Sequence, residues 1–405
     1  MRMVLEVSRL LAVPTDLDVL LKRIAVICCE LVDCEVTSIF LYDKKTDQLW
    51  TKVAMQSVEI RIPAAKGIVG HSFKTNRLLH VPAPYDDPRF NPEPDRRNGF
   101  VTRNLLACPM PDIDGNPLGV IEGINNRGAA FDENDFCLIH LLAEQAAVAI
   151  QRHTFQQEAL QTVALRREMD LAREIQQNLI PKDPPRVPGL DAVGWNLPAS
   201  TTGGDCYDLW QTPDGRLGVL VADASGHGLA PALVVSQMRT LVRAFSTIES
   251  DPHRLLVHAN ARLYEDTRNG NFVTAFLAFI SSDGEMQWSS AGHGPIFVRR
   301  RVDEPLTTLL PAALPLGVDS PWFCDAPPPV RLDAGGSLFV VSDGIFEARS
   351  PEGKLFEVER MVALFDEHRQ SKPAELTAAL REAVDRWQNG REPVDDQTIV
   401  IVQRG

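Results

Sequence analysis

Four acidic clusters lie where apolar, strand-like runs of this 405-residue sequence end. An acid at the end of a buried strand is costly unless it pairs with a base or binds a metal, and basic residues are scarce around all four clusters. Carboxylates are ligands of hard divalent cations such as Mg²⁺ and Mn²⁺. The clusters are "TGGDCYD" with Asp205 and Asp208, "VADASGHG" with Asp223, "VVSDGIFEA" with Asp343, and "PVDDQTIVIV" with Asp395 and Asp396.

Three of these acids, Asp223, Asp343 and Asp395, are the ones expected to carry the chemistry. If they converge, they could hold two Mg²⁺ or Mn²⁺ ions with a bridging water. Such a metal pair lowers the pKa of the water and holds a phosphoryl group for in-line attack. Each motif alone has a plain structural explanation, such as a turn at Asp343-Gly344. The expectation rests on their occurrence together, in this order, in one domain.

Other phosphate-processing chemistries fit the sequence less well. A cysteine phosphatase needs an arginine at the sixth position after its cysteine, where Cys206 is followed by Thr212 and Cys324 by Val330. The sequence contains no GxxxxGK[ST] phosphate loop and no GxSxG nucleophile turn.

Composition limits the class of protein further. A net charge of -13 argues against a nucleic-acid partner or an anionic membrane surface. We find no apolar run long enough to span a bilayer, and the first residues are typical of a helix and not of a signal peptide. The seven cysteines are odd in number and scattered, which favours reduced, buried thiols in a cytoplasmic protein.

Hydrophobic patterning predicts an α+β chain with three parts. Residues 1–152 form one α+β unit with a long polar loop at 83–100, and residues 153–180 form a helical linker. After a proline-rich boundary, residues 181–405 alternate many strands with few helices. This pattern predicts an α+β sandwich and not a doubly wound sheet.

The linker is expected to continue the helix that closes the first unit, because no proline or glycine interrupts it before Pro181. Its apolar residues recur at spacings of three and four, which places them on one helical face. Either this face packs on one domain as an exposed connector, or it forms a coiled coil that makes the chain a parallel homodimer. The residues are Leu165, Met169, Ala172, Ile175 and Leu179.

From about residue 168 to the end, the sequence resembles the SpoIIE/RsbU-like branch of the metal-dependent type 2C protein phosphatases. The motifs "EMDLAREIQQNLIP", "GGDCYD", "DASGHG", "SAGHGPIFV", "PLG", "VSDGIFEA" and "DDQTIVIV" follow one another in the family's order. The resemblance implies an α/β/β/α sandwich and a centre of two Mn²⁺ or Mg²⁺ ions. It also implies dephosphorylation of phosphoserine or phosphothreonine in a partner, commonly a STAS-type anti-anti-sigma protein.

The resemblance assigns roles to individual residues. Asp223 matches the acid that bridges the two metals, and the backbone carbonyl of Ala224 matches a further ligand. Asp343 and Asp395 match ligands of the second metal, and Asp205 matches an acid that holds the metals directly or through water. The family match is less clear for Asp208 and Asp396, and Cys206 and Ser342 stand where an aromatic residue and threonine are usual.

The loop that follows Asp223 contains two glycines and a histidine. Gly226 and Gly228 let the backbone turn sharply past a metal-bound phosphate, where a Cβ would obstruct it. His227 either contacts the phosphate or acts as a proton donor, or it stabilises the turn. His293 in "SAGHGP" has the same two alternatives.

Residues 1–152 resemble a GAF domain, through "GIVGHSFKTN", "LLACPMPDIDGNPLGVIEGINN" and the closing helix. The 83–100 loop is similar to those of cyclic-nucleotide-binding GAF domains, which makes a cyclic nucleotide one candidate ligand. Their "NK…F…DE" motif is only partly present, since its lysine and glutamate are missing here. A purely structural domain or another small ligand are the alternatives. The matching positions are Asn125, Asn126, Phe131 and Asp135.

Overall fold

The computed structural model describes residues 16–53, 60–128, 130–226, 228–267, 270–311, 313–322 and 324–405. His227 lies outside these residues, so the alternatives for it stay predictions. The chain divides between Ala164 and Leu165 into two compact units. Among the helices of the described residues, none is both long and apolar enough to cross a membrane.

The described part of the first unit consists of one antiparallel sheet with helices on both of its faces. Its strands pair in the order β3-β2-β1-β6-β5-β4. The strands are β1 (Cys34–Asp43), β2 (Gln48–Val53), β3 (Ile60–Pro63), β4 (Leu79–Val81), β5 (Leu105–Pro111) and β6 (Pro117–Asn126). The helices are α1 (Leu17–Leu31), α2 (Gly67–Thr75), α3 (Glu93–Asn98) and the first part of α4 (Glu133–Leu179).

Alternation along the strands supplies a hydrophobic surface to each face of this sheet. Ile121 of β6 belongs to the core that includes residues of α1 and α4, whereas its neighbour Val120 belongs to the core that includes residues of α2. The predicted polar loop at 83–100 contains α3, which the sequence analysis missed. Asp95 of α3 accepts hydrogen bonds from the Tyr85 hydroxyl (2.8 Å) and the Thr102 amide (2.9 Å), and these bonds close the segment on itself.

The second unit contains two antiparallel sheets within its described residues, in the orders β14-β11-β10-β9-β8 and β13-β12-β15-β16-β7. The strands are β7 (Leu190–Leu197), β8 (Asp205–Gln211), β9 (Leu217–Ala224), β10 (Val273–Ile280), β11 (Glu285–Ala291), β12 (Ile296–Arg299), β13 (Thr307–Leu309), β14 (Val330–Arg331), β15 (Ser337–Val341) and β16 (Gln397–Arg404). The helices are α5 (Leu229–Phe245), α6 (Pro252–Asp266), α7 (Asp343–Phe346), α8 (Val358–Glu367) and α9 (Pro373–Gln388).

Three hydrophobic layers hold the second unit together. The middle layer joins the two sheets through residues such as Val219 and Val340. The outer layers pack α5 and α6 on the first sheet and α8 and α9 on the second. The predicted α/β/β/α sandwich is therefore confirmed, because each sheet buries one face on the other sheet and one on helices.

The helix α4 runs without a break for 47 residues, as the absence of proline and glycine predicted. Its predicted apolar face is divided in the structure. Leu165 and Ile175 are 60% and 58% exposed, whereas Met169 and Ala172 are partly buried. Part of the predicted face is thus half-buried and part of it remains exposed.

One buried acid of the first unit generates a pH prediction. Glu122 of β6 is only 8% exposed, and its neighbours across the sheet are Ser38 and Ala107. Burial, and after it the negative charge of Asp95, raises the pKa of Glu122 from its ordinary 4.5 to about 7. The folded unit therefore holds this proton more tightly than the unfolded chain does.

We expect the first unit to lose stability as the pH rises from about 4.5 to above 7, because unfolding then frees a carboxylate that is costly to bury. Glu122→Gln removes that cost, so it should stabilise this unit at pH 8 by on the order of 3 kcal/mol and much less at pH 5. Differential scanning calorimetry of the full chain measures this difference. The exposed Glu30→Gln is the control, and an equal effect of Glu122→Gln at both pH values would contradict the argument.

Candidate active site

Strand ends bring the predicted metal ligands to one region of the second unit. Asp205 begins β8 and pairs across the sheet with Asp223 near the end of β9. In the other sheet, Asp343 follows β15 and Asp395 precedes β16, and these two strands are paired neighbours. Antiparallel pairing places the start of one strand beside the end of the next, so each sheet contributes two of the acids.

The charges of these acids act on one another. Burial, followed by the charges of Asp343 and Asp395, raises the pKa of Asp223 to about 7. Burial and the charge of Asp223 also raise the pKa of Asp205 well above its ordinary value. The pKa of Asp343 is raised by burial and by Asp395. Mutual repulsion of this kind shows that the four carboxylates form one electrostatic cluster.

The cluster lacks a basic partner in the described part of the chain. None of its four acids, Asp205, Asp223, Asp343 and Asp395, forms an ion pair with an arginine or lysine there. Carboxylates without counter-charge are the donor groups that Mg²⁺ and Mn²⁺ prefer. No three His, Cys, Asp or Glu side chains of the described residues are already arranged around one metal position. The residues therefore fit a divalent metal by donor type and charge, and they do not form a finished coordination sphere.

The carboxylate of Asp396 has a different set of partners from the cluster. It accepts hydrogen bonds from the backbone amides of Ala199 (2.7 Å), Gly204 (2.5 Å) and Asp205 (3.2 Å). Backbone donors thus occupy both of its oxygens. Asp396 holds the segment that leads into β8, and in this way it orients Asp205.

Asp208 lies on the opposite face of β8 from Asp205. Side chains alternate along a strand, so Asp208 faces α5 together with Cys206, which belongs to the core between sheet and helices. Its carboxylate is 3.0 Å from Arg239 and 3.4 Å from Arg243. The structure thus gives Asp208 two basic partners and a role in joining α5 to the sheet.

Close backbone approach explains two glycines of the site. A Cβ on Gly204 would lie 2.7 Å from the carbonyl oxygen of Ala224, the predicted backbone ligand. A Cβ on Gly344 would lie 2.1 Å from the backbone oxygen of Asp396. Both contacts are shorter than any side chain tolerates, so glycine lets the acidic loops meet.

Three polar residues that the sequence analysis did not assign support the acids. The Thr398 hydroxyl donates to Asp205 Oδ2 (2.6 Å), and the Ser342 hydroxyl donates to the Asp396 carbonyl (3.1 Å). Gln176 of α4 bonds to Gly203 through both its amide atoms. Thr398 lies inside the motif "DDQTIVIV" and Gln176 inside "EMDLAREIQQNLIP". Their place in these motifs was the one sign in the sequence that they lie near the site.

His293 contacts β10, the strand that pairs with the one carrying Asp223. Its Nδ1 is 3.1 Å from the hydroxyl of Thr274, and Thr274 pairs with Asp223 across the sheet. Burial lowers the pKa of His293 to about 4, so the imidazole is neutral at pH 7. A neutral, buried ring bonded to a strand residue fits the structural alternative better than the proton-donor one.

The candidate ligand residues of the first unit bond to its own strands and loops. Asn125 donates to Glu35 (2.8 Å) and to the carbonyl of Val101 (2.9 Å). Asn126 donates to the carbonyl of Val32 (3.2 Å) and to Asp135 (3.3 Å). Phe131 lies in the core that includes α1 and α4. These contacts connect the end of β6 to the neighbouring elements.

Comparison with known proteins gives two family matches. Residues 213–405 match the family described as Stage II sporulation protein E (SpoIIE), and residues 16–150 match the GAF domain. In solved structures, the fold is similar to the SiaA-PP2C domain of Pseudomonas aeruginosa, with a TM-score of 0.52 and 19% identity. That likeness covers 61% of this chain and 99% of the SiaA domain.

Two curated proteins are similar to different shares of the chain. Dual 3',5'-cyclic-AMP and -GMP phosphodiesterase 11A of Takifugu rubripes is 30% identical over 186 residues, which is 42% of this chain and 20% of that protein. Phosphoserine phosphatase RsbU of Bacillus subtilis (strain 168) is 24% identical over 241 residues, or 59% of this chain and 71% of RsbU.

The matches agree with the architecture seen in each unit. The single sheet with helices on both faces corresponds to the GAF match, and the two-sheet sandwich with its acid cluster corresponds to the SpoIIE match. This chain therefore combines a GAF domain with a SpoIIE-type phosphatase domain of the PP2C class.

Proposed function

We propose that this protein is a metal-dependent serine/threonine phosphatase that removes phosphate from a partner protein and is regulated by its GAF domain. The observation that carries the proposal is the cluster of four acids, one of them buried and two half-buried, without a basic partner in the described residues. Bound cations or bound protons relieve the repulsion within such a cluster. The similarity to a phosphoserine phosphatase over 59% of the chain supports the same activity.

Two Mn²⁺ or Mg²⁺ ions would be held by Asp205, Asp223, Asp343, Asp395 and the backbone carbonyl of Ala224. When bound, such ions supply a water of lowered pKa and neutralise charge on a phosphoryl group. We assign the neighbouring polar residues to orientation: Thr398 fixes one oxygen of Asp205, and Asp396 fixes the backbone before it.

The thiol of Cys206 is not the nucleophile in this proposal. Its side chain is buried in the helix-facing core, and burial raises the pKa of the thiol far above neutrality. A thiol that stays protonated is a poor nucleophile, and Cys206 faces away from Asp205.

We propose a phosphorylated STAS-type protein as the substrate. This assignment rests on the resemblance to the SpoIIE/RsbU-like phosphatases and on the match to RsbU. Hydrolysis by a phosphatase of this class leaves an unmodified serine or threonine and inorganic phosphate.

We further propose that residues 1–152 act as sensor, 153–180 as linker and 181–405 as phosphatase. The linker has several large apolar side chains in contact with solvent, among them Phe155, Leu160 and Val163. Burial of such side chains against a second copy of the helix would form a parallel homodimer.

The similarity to a cyclic-nucleotide phosphodiesterase favours a cyclic nucleotide as the ligand to test first at the sensor.

Hydrolysis of p-nitrophenyl phosphate should require added Mn²⁺ or Mg²⁺ and should stop with EDTA. Asp223→Asn and Asp343→Asn should each lower kcat by roughly three orders of magnitude, because each removes a negative ligand of the metals. Cys206→Ser is the control and should retain activity. Inactive Cys206→Ser together with active aspartate variants would refute the metal mechanism.

The substrate assignment predicts release of phosphate from phosphorylated STAS-type proteins of the source organism. The reaction should be followed by loss of the phosphoprotein band and by free phosphate. The matched control is the same STAS protein phosphorylated on a different residue by an unrelated kinase. Equal rates on both phosphoproteins would argue against a specific STAS-type substrate.

The linker proposal predicts a dimer in light scattering at micromolar concentration and a change of phosphatase activity when cAMP or cGMP binds. Insertion of Gly-Gly after Arg167 should weaken the helix by about 1 kcal/mol per glycine. It should abolish the response to ligand and leave metal-dependent hydrolysis in place. A monomer would contradict the dimer, and an unchanged response would contradict coupling through the helix.

A further inference from the structure

Gln176 is a buried polar residue near the end of an otherwise exposed stretch of α4. Its side chain is 8% exposed, although Ile175 before it is 58% exposed and Gln177 after it is also exposed. It follows the partly buried Met169 and Ala172 at spacings of seven and four, so it lies on the same helical face. Burial of a glutamine costs free energy unless both ends of its amide have partners.

Both ends of this amide bond to one residue. Gln176 Nε2 donates to the carbonyl oxygen of Gly203 (2.6 Å), and the amide of Gly203 donates to Gln176 Oε1 (3.1 Å). Two bonds to a single residue fix its orientation as well as its distance. The last turns of α4 and the segment before β8 therefore behave as one connected piece.

The segment that Gln176 holds is confined on its other sides. A Cβ on Gly203 would lie 2.7 Å from Asp396 Oδ2, and the next amide, that of Gly204, already donates to that oxygen at 2.5 Å. The carbonyl of Gly204 accepts from the amide of Ala224 (3.0 Å). Packing this close leaves the segment little room to move independently of its partners.

The contacts of Gln176 connect it to two acids of the cluster through the short segment from Gly203 to Asp205. Gly203 is followed by Gly204 and Asp205, and the amide that bonds to Gly204 is the one directly after Asp223. A displacement of α4 along its axis would pull on Gly203 and so reorient the backbone of both strand ends.

We propose that Gln176 is a positioning residue: by holding Gly203 it sets the arrangement of Asp205 and the Ala224 carbonyl, and thereby the affinity of the acid cluster for its divalent cations. The proposal rests on the proposed function, because it takes that cluster to be a metal site. It deepens that function by naming the contact through which α4 reaches the site.

The test measures Mn²⁺ binding by isothermal titration calorimetry on the full chain for wild type, Gln176→Ala and Gln176→Glu. Gln177→Ala is the matched control, since it changes the same residue type at the exposed neighbouring position. Gln176→Ala loses both hydrogen bonds. Gln176→Glu keeps an acceptor for the Gly203 amide but sets a carboxylate oxygen against the Gly203 carbonyl.

We expect both Gln176 variants to bind Mn²⁺ at least tenfold more weakly than wild type, and Gln177→Ala to bind like wild type. Hydrogen exchange in the metal-free protein provides a second measurement that does not depend on activity. The amides from Gly203 to Cys206 should exchange faster in Gln176→Ala, while those of β15 and β16 should not change. If Gln176→Ala does not fold, Gln176→Glu provides the same comparison.

Wild-type Mn²⁺ affinity in both Gln176 variants would overturn the proposal. So would weaker binding accompanied by faster exchange throughout the second unit, because that pattern indicates a general loss of stability. If wild type binds Mn²⁺ but hydrolyses no phosphoester, the proposed function fails, and the affinities of the variants still support or overturn the role of Gln176. A wild-type protein that binds no Mn²⁺ overturns both.

Discussion

The structure of the second unit depends on the repulsion among four carboxylates at one site, of which Asp205 is buried, Asp223 and Asp343 are half-buried and Asp395 is exposed. Removing one carboxylate from water is already costly, and bringing several together raises the cost further unless cations or protons join them. The raised pKa of Asp223, Asp205 and Asp343 expresses this cost. The burial of apolar side chains in the three hydrophobic layers of the sandwich offsets the unfavourable free energy of this site.

Rigid surroundings are the second requirement of the site. Strands β8 and β9 in one sheet and β15 and β16 in the other fix the backbone from which the acids project. The loops between them are fixed by polar side chains, with Asp396 bonded to three backbone amides and Thr398 bonded to Asp205. Acids that look equivalent in the sequence thus divide into those left without counter-charge and those that hold the backbone or pair with arginine.

The long helix α4 likewise has residues with different surroundings, some of them buried and some exposed. Met169 and Ala172 are partly buried and Gln176 bonds to Gly203, while Leu165 and Ile175 are exposed. One helix can therefore contact the segment before β8 on one side and offer an apolar surface on another. Its length follows from composition, because none of its 47 residues is a proline or a glycine that would interrupt the helix.

The sequence by itself determined most of the strands, the long helix and the residue types of the site, although the short helix α3 was not predicted. Strands β9, β15 and β16, the unbroken helix and the sandwich all follow from the hydrophobic periodicity of the sequence and from its ordered motifs. The acids at strand ends could be found for the same reason, because a charge at the end of an apolar run is visible without any structure.

Only the tertiary structure decided which of those acids share a site. Asp208 and Asp205 are three residues apart and look alike in the motif, yet the pleat of β8 turns Asp208 toward the arginines of α5. The amides that bond to Asp396 and the glycine that bonds to Gln176 are distant in sequence, so no local pattern could reveal them. The periodicity of a helix or strand determines the direction in which each side chain points from that element. Which partner the side chain meets depends on how separate elements pack.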